Sequence, residues 1–275
     1  MNTIVCIKQV PDTEHLQEVT INPETNTLER QKIPAVINPF DVNAIEEAIR
    51  IKEKHGGKVT VITMGPPQAE EALRTALAMG ADEAILLTDR AFAGSDTWAT
   101  AKTLSKAIEK IGVFDLIFFG KQAIDGDTAQ VGPEVAEALS LPQITYVSKL
   151  DIEEKKINPD TKNFGVRVKG RRTMEDAYEE VEAPMPCVIT VTKEINEPRF
   201  SSIKGILKAK KAEIIKWGKN DLGLSDKETG LNGSATQVIK IFTPPRRAKG
   251  EMIEGASADD KASKLVEKLK EDKII

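Results

Sequence analysis

Cysteine and histidine are scarce in this 275-residue chain, which contains two of each. Iron–sulfur clusters usually take four cysteine ligands, and no Cys/His spacing in the sequence is typical of a zinc site. Cys6 and Cys187 are each flanked by apolar residues, so we expect both to be buried strand residues. Any redox chemistry would therefore need an organic cofactor.

Aromatic residues make up only 4% of the chain, and no apolar run approaches the ~20 residues needed to span a membrane. The formal net charge of -4 gives no reason to expect nucleic-acid binding. Lys8, Pro11 and Asp12 follow the first short apolar run, where a secretory signal would need a longer apolar stretch and a cleavage site. We expect a cytoplasmic protein that binds neither nucleic acid nor membrane.

Short apolar runs alternate with longer amphipathic runs up to Tyr146. The apolar runs predict strands at Thr3–Lys8, Lys58–Met64, Glu83–Thr88, Val113–Phe119 and Leu141–Tyr146. The amphipathic runs predict helices at Asp41–Lys54, Gln68–Met79, Asp96–Ile111 and Thr128–Leu139, with Gly80 ending the second and Ser95 or Asp96 capping the third. This alternation indicates an α/β fold, a Rossmann-like open parallel sheet with helices on both faces.

The pattern changes after Tyr146. Lys149–Ile157 and Phe164–Arg171 alternate apolar and polar residues around the turn segment Asn158-Pro159-Asp160, which predicts an added antiparallel hairpin at the sheet edge. Met185–Val191 predicts one more buried strand. From Asn196 we expect an irregular C-terminal arm followed by a terminal helix at Ala258–Lys270. The predicted division is a nucleotide-binding α/β domain with the edge hairpin at 1–195, and a loop, arm and helix at 196–275.

In an open parallel sheet, ligands bind beyond the carboxyl ends of the strands, where the strand order reverses. Three segments end predicted strands and should meet there: Cys6–Val10, Met64–Pro66 and Gly120–Thr128. Asp127 or Thr128 can cap the next helix, whose free N–H groups at Thr128–Gln130 would attract the pyrophosphate of a dinucleotide. An ordinary capped strand–helix loop would show the same residues.

Several common motifs are missing, namely GxGxxG, GxxxxGK[ST] and GxSxG, and no Ser/His constellation or carboxylate pair stands out. These absences disfavour a classical Rossmann dehydrogenase, a P-loop NTPase and a hydrolase. A basic run at Lys204, Lys208, Lys210 and Lys211 either contacts an acidic partner or is simply solvated. Pro198 fixes a turn that would push Ile195 toward solvent, as a docking anchor or incidentally.

The sequence resembles the beta subunits of electron-transfer flavoproteins over nearly its whole length. The family signature is matched by Gly170–Val181 followed by Pro186–Thr190, with a departure at Ala177, where the family usually has Gly, Asp or Glu. Asn196–Lys211 is similar to the segment that follows the signature. Further matching segments are Asn38–Asp41, Arg74–Asp82 and Gly120–Asp125.

This resemblance implies a heterodimer with an alpha subunit and an adenine nucleotide bound by the beta chain. Carried over by position, the cofactor-binding residues are Cys6, Asn38, Pro39, Phe40, Asp41, Met64, Gly120, Lys121, Gln122, Ala123, Ile124, Asp125, Gly126, Asp127, Thr128, Ala129, Gln130 and Val131. The resemblance also implies a recognition loop for a partner dehydrogenase at Val191–Phe200, anchored by Ile195. Its docking residues are Ile195, Asn196, Glu197, Pro198, Arg199 and Phe200. The arm would wrap the alpha subunit.

The family has two branches, one whose beta chain holds AMP as a structural ligand and one whose beta chain holds a second FAD. Gly126–Pro133 is similar to the second, bifurcating branch, since small residues at Gly126 and Ala129 would leave room for a dinucleotide. That branch takes hydride from NADH and splits the electrons between an acyl-CoA-dehydrogenase-like flavoenzyme and a low-potential acceptor, ferredoxin or flavodoxin. The alternatives are an AMP-binding electron shuttle and an adenine-nucleotide-sensing module without a redox role.

Overall fold

A computed structural model describes residues 1–12, 21–22, 27–28, 34–156, 164–239 and 250–275. The chain forms two compact units, Met1–Ile239 and Lys240–Ile275, and each is described by itself. The division falls later in the chain than the predicted boundary at 195–196. The predicted turn at Asn158-Pro159-Asp160 lies outside the described residues.

The described strands and helices alternate along most of the first unit. The strands are β1 (Thr3–Cys6), β2 (Gln9–Pro11), β3 (Ile21–Asn22), β4 (Thr27–Leu28), β5 (Ala35–Ile37), β6 (Val59–Met64), β7 (Glu83–Leu87), β8 (Leu116–Gly120), β9 (Gln143–Lys156), β10 (Phe164–Thr173), β11 (Tyr178–Pro184), β12 (Cys187–Val191) and β13 (Ile215–Trp217). The helices are α1 (Pro39–His55), α2 (Glu70–Met79), α3 (Thr97–Ile111), α4 (Val131–Ala138), α5 (Ile203–Lys211), α6 (Gly230–Gly233) and, in the second unit, α7 (Ala258–Glu271).

The main sheet has the strand order β11-β10-β9-β12-β8-β1-β6-β7-β13. From β9 to β13 the neighbouring strands are parallel, whereas β10 and β11 add antiparallel strands at one edge. The predicted fold class and edge hairpin are thereby confirmed. Because the chain passes from β1 to β6 on one side and later to β8 on the other, the strand order reverses between β1 and β8.

Helices cover both faces of this sheet, as predicted. On one face, Ile45 and Ile49 of α1 and Leu73 of α2 pack into one apolar core. On the other face, Ile108 of α3 and Val135 of α4 contribute to a second core. The β1 and β8 strands are buried along their whole length because they are covered from both sides, which explains their continuous apolar sequences.

Capping residues and glycines in the sequence correctly predicted several of the helix ends. Gly80 ends α2 with a φ of 134°, and the Asp96 carboxylate caps α3 by accepting a hydrogen bond from Ala99 N at 3.0 Å. The terminal helix α7 begins at the predicted Ala258. The predicted start of α4 was wrong: the helix begins at Val131, and its N-cap is Gln130.

Two regions differ from the sequence prediction. The predicted fifth strand and the first hairpin strand are one long strand, β9, with an irregularity in its pairing near Tyr146, whose φ is 58°. Residues 203–217, expected to be irregular, form α5 and the edge strand β13. Ser202 caps α5, and Arg74 of α2 donates to Ala209 O at 2.7 Å, which ties the carboxyl end of α5 to α2. Within the described ranges, no helix is long and apolar enough to cross a membrane.

Candidate functional site

The candidate site lies where the strand order reverses, at the carboxyl ends of β1 and β8. These strands are parallel neighbours, with Cys6 opposite Phe119, so the residues that follow each strand emerge side by side. The first turn of α1 lies next to both of them. The structure therefore brings together Lys8, the Asn38–Asp41 segment and the loop that begins at Gly120.

Asn38 and Asp41 link these three segments through buried hydrogen bonds. Asn38 Nδ2 donates to Asp41 Oδ1 at 3.0 Å and to Gln122 O at 2.8 Å, while Asn38 Oδ1 accepts from Ile124 N at 3.1 Å. Asp41 Oδ2 accepts from Lys8 N at 2.7 Å. Every polar atom of the two side chains thus fixes a backbone segment or the other side chain, which holds the loop after β8 in place.

Asp41 is also the strongest electrostatic feature of the site. Its carboxylate accepts from Gly120 N at 3.1 Å, and Lys8 lies nearby, yet burial outweighs these stabilising contacts and raises the pKa of Asp41 to about 7. Gly120 is required there, because a Cβ on it would lie 2.3 Å from Asp41 Oδ1 and 2.6 Å from Phe40 Cβ. The loop consequently passes directly against the first turn of α1.

The outer part of the loop, Asp125–Thr128, is exposed. Lys8 Nζ forms an ion pair with Asp125 Oδ1 at 2.6 Å, and Gln122 Nε2 donates to the Asp127 carboxylate. Both acidic side chains are therefore engaged by neighbours within the site. A Cβ on Gly126 would meet nothing within 4 Å, so open space borders the loop at this point.

The predicted anion site at Thr128–Gln130 needs a correction. Asp127 and Ala129 have φ values of 57° and 55°, in the left-handed region, so the helix cannot begin among them. The predicted capping role of Asp127 or Thr128 is therefore also wrong. The amino end of α4 instead presents the N–H groups of Val131 and Gly132.

Cys6 and Met64 lie below the loop rather than in it. The Cys6 side chain is buried in the core beneath α3 and α4, where burial and then the charge of Asp41 raise the pKa of its thiol. Met64 is half-buried at the end of β6 and packs against the same core. These two residues support the floor of the site.

A cleft of about 260 Å³ adjoins the site beside Phe40 and Lys121. The Nζ of Lys121 lies 5.0 Å from the centre of the Tyr146 ring, and that of Lys193 lies 5.3 Å from the centre of the Phe40 ring. Thr173 Oγ1, on the cleft wall, is buried without a hydrogen-bond partner. Sequence reasoning did not single out Tyr146 or Thr173, because β9 and β10 place them there through long-range pairing.

A larger cleft of about 490 Å³ lies at the opposite, amino-terminal edge of the sheet, lined in part by Lys58, Glu83, Lys110 and Trp217. Its charged groups are already paired: Lys58 with Glu83 at 2.8 Å, and Lys110 with Asp221 O at 2.6 Å. We therefore place the candidate site at the carboxyl-terminal edge. Among the described residues, no group of three His, Cys, Asp or Glu side chains could hold a metal ion.

The predicted docking residues, here called the docking segment (Ile195–Phe200), follow β12 at the same edge of the sheet. The expected exposure of Ile195 was wrong, because its side chain is half-buried against the core on the α1 face. Phe200 is instead fully exposed, at 100%. Asn196 and Arg199 are bound to the side of α1, with Asn196 Nδ2 donating to Glu47 Oε2 at 2.9 Å and Arg199 Nε to Glu46 Oε2 at 2.8 Å.

Comparison with known proteins gives consistent similarities. Residues 25–222 match the family described as "Electron transfer flavoprotein domain". The chain is 53% identical to "Electron transfer flavoprotein subunit beta" of Thermoanaerobacterium thermosaccharolyticum and 49% identical to "Caffeyl-CoA reductase-Etf complex subunit CarD" of Acetobacterium woodii, each over 100% of both chains. It is 46% identical to "Protein FixA" of Azotobacter vinelandii, over 95% of this chain and 91% of the relative.

Proposed function

Because the chain belongs to the electron-transfer flavoprotein family as a beta subunit, we propose that it binds FAD at the edge between β1 and β8 and acts in flavin-based electron bifurcation. Its partner would be an alpha subunit of the same family. The observation that carries the proposal is the loop after β8, which is fixed at its base by Asn38 and Asp41 and open at Gly126.

The residues present fit an adenine dinucleotide. The Asn38–Asp41 turn and the loop from Gly120 to Val131 would hold its adenylate half, with the amino end of α4 facing a phosphate group. When bound, FAD would supply the redox chemistry, namely two-electron oxidation of NADH and one-electron transfer to acceptors. The protein's part is to bind, orient and shield the cofactor, so no residue is assigned as a general acid or base.

The open space beside the loop supports FAD over AMP in this proposal. An AMP-binding chain needs room only for the adenylate group, and bulky residues can close the site beyond it. Here Gly126 borders open space, and the cleft beside Phe40 and Lys121 extends the site toward β9 and β10. A relative of equal length is named as a subunit of a caffeyl-CoA reductase–Etf complex, which supports a role in a larger reductase assembly.

The proposed electron acceptors are an acyl-CoA-dehydrogenase-like flavoenzyme, bound through the docking segment, and ferredoxin or flavodoxin. Docking through an exposed aromatic residue is physically reasonable, because apolar side chains that enter a pocket dominate interface energies. In this proposal Phe200 makes the outermost contact, and Ile195 supports it from a half-buried position.

An anaerobic titration of the co-expressed heterodimer with NADH tests the redox role. We expect NADH to reduce flavin in the wild-type heterodimer. We expect Asp127→Lys to lose the flavin of the beta chain and most of this reaction, because a lysine cannot accept the hydrogen bond from Gln122 Nε2 that holds the outer loop. Lys106→Gln, a change at an exposed residue of α3 remote from the site, serves as the control. A wild-type heterodimer whose flavins NADH leaves oxidised would contradict bifurcation and favour the AMP-binding shuttle.

A further inference from the structure

We propose that Asn43 and Glu46 of α1 position the docking segment and make its order depend on an occupied nucleotide site. The inference rests on the proposed function, since it concerns the same nucleotide. Its starting point is that one helix serves both regions. The first turn of α1 carries Asp41 toward the nucleotide site, and the next two turns hold the docking segment.

Asn43 is the first link. This side chain is buried, with 4% of its surface exposed. Its Nδ2 donates to Asn196 O at 2.8 Å and to Asn196 Oδ1 at 3.0 Å, and Asn196 Nδ2 donates back to Asn43 O at 3.0 Å. A reciprocal amide pair of this kind fixes both the backbone and the side chain of Asn196. Asn43 lies only two positions after Asp41, in the same part of the helix.

Glu46 is the second link. It is 2% exposed, and its Oε2 accepts from Arg199 Nε at 2.8 Å and from Arg199 N at 3.2 Å. Burial by itself would raise the pKa of Glu46, but the hydrogen bonds from Arg199 and Arg50 outweigh it and lower the pKa. The carboxylate is therefore ionised near neutral pH. Glu53, about two helical turns further along α1, accepts two more bonds from the Arg199 guanidinium, at 2.6 and 2.9 Å.

A third link runs through the sheet. Strands β8 and β12 are parallel neighbours up to Gly120 and Val191, and Lys121 N donates to Val191 O at 2.7 Å. The nucleotide loop and the chain entering the docking segment thus leave adjacent strands together. Lys193, just before the docking segment, places its ammonium group over the ring of Phe40 in the nucleotide site.

These contacts imply a shared opening event. If the first turns of α1 shift when the nucleotide site is empty, the Asn43 and Glu46 bonds to the docking segment loosen at the same time. A bound nucleotide that fixes Asp41 and Asn38 then holds the docking segment in its binding conformation. Such preorganisation lowers the entropy cost of docking a dehydrogenase, so an empty beta chain would be a poorer partner.

Hydrogen exchange on the co-expressed heterodimer tests this, measured as purified and after its nucleotides are removed with a chaotropic salt. The reporter is the peptide that contains the Arg199 amide, which donates to Glu46. We expect its exchange to become at least about fivefold faster on nucleotide removal, the lower end of typical coupling between sites. Peptides within α3 should keep their exchange rates and serve as the internal reference.

Two variants distinguish coupling between the nucleotide site and the docking segment from a general loosening of the fold. In Glu46→Gln and, independently, Asn43→Ala, we expect fast exchange of the Arg199 peptide even with nucleotide bound, no further change on its removal, and unchanged nucleotide content. Glu109→Gln, which loses only a surface ion pair with Lys106 on α3, should behave as the wild type.

The outcomes also distinguish this inference from the proposed function. If residues 38–41 and 120–124 lose protection on nucleotide removal while the docking segment does not, the coupling is refuted and the nucleotide site stands. If neither region responds, the nucleotide does not bind between β1 and β8, and both proposals fail.

Discussion

Among substitutions that add one methyl group to the loop after β8, Gly120→Ala should damage the nucleotide site most. The new Cβ would lie 2.3 Å from Asp41 Oδ1, 2.6 Å from Phe40 Cβ and 2.8 Å from the Phe40 carbonyl carbon. Ordinary contacts of a Cβ begin near 3.4 Å, so the loop or the first turn of α1 must move by roughly 1 Å. Either movement breaks the bond from Gly120 N to the buried Asp41 carboxylate.

Overpacking of this kind costs typically about 1–3 kcal/mol. We expect the upper end of this range for Gly120→Ala, because the obstructing atoms belong to backbone and to a carboxylate held on several sides. For a chain of this size, about 3 kcal/mol corresponds to a fall in melting temperature of roughly 6–12 °C. Nucleotide retention should fall as well, because the displaced loop carries the nucleotide-binding residues in the proposal.

The matched control is Gly126→Ala, six positions along the same loop, where a Cβ would meet nothing within 4 Å. Thermal unfolding and nucleotide content of the two co-expressed heterodimers give the comparison. We expect Gly126→Ala to match the wild type in melting temperature. A Gly120→Ala protein with wild-type melting temperature and nucleotide content would refute the close packing of this loop against α1.

Three further predictions concern single side chains. As the pH rises from about 4 to about 7, the free energy of unfolding of the wild type should fall relative to that of Asp41→Asn. Burial raises the pKa of Asp41 to about 7, so the folded chain keeps a proton that the unfolded chain releases over this range. Urea unfolding measures both free energies, and parallel pH curves would contradict the prediction. Phe200→Ala should weaken dehydrogenase binding about tenfold without changing stability, because this side chain is fully exposed. Ile195→Ala should weaken binding and also lower the free energy of unfolding by about 1–2 kcal/mol, because Ile195 packs against the core. Equal melting temperatures for Ile195→Ala and the wild type would oppose this packing. Asp127→Lys should release the nucleotide while the sheet unfolds as before, and full nucleotide retention would exclude Asp127 from the site.

The sequence was sufficient to predict those parts of the fold that depend on local or periodic signals. Asp96 and Gly80 mark helix ends through side-chain and backbone chemistry that acts within a few residues. The strands β1, β6, β7 and β8 are predominantly apolar because helices cover both faces of the sheet. The α/β class followed from their alternation with helices.

Other parts depend on contacts that no local pattern contains. The late start of α4 results from left-handed backbone at Asp127 and Ala129, which are not glycines and so gave no signal. The edge strand β13 is only three residues long and exists through its pairing with β7. Ile195 is half-buried because α1 holds the docking segment, a contact across about 150 residues of chain that the turn at Pro198 could not reveal.

The candidate site, like the fold, could be predicted from the sequence only in part. The reversal of strand order correctly predicted that the ends of β1 and β8 meet. The roles of Asn38 and Asp41 came only from family resemblance, since Asp41 joins Lys8 and Gly120 across 33 and 79 positions of the chain. Their buried hydrogen bonds became visible only in three dimensions.

The identity and stoichiometry of the nucleotides released by denaturing the co-expressed heterodimer test the central claim most directly. Chromatography with absorbance detection distinguishes FAD from AMP. The account predicts two FAD and no AMP for each heterodimer. One FAD and one AMP would contradict it, and would make the chain a beta subunit of the simple electron-shuttling branch.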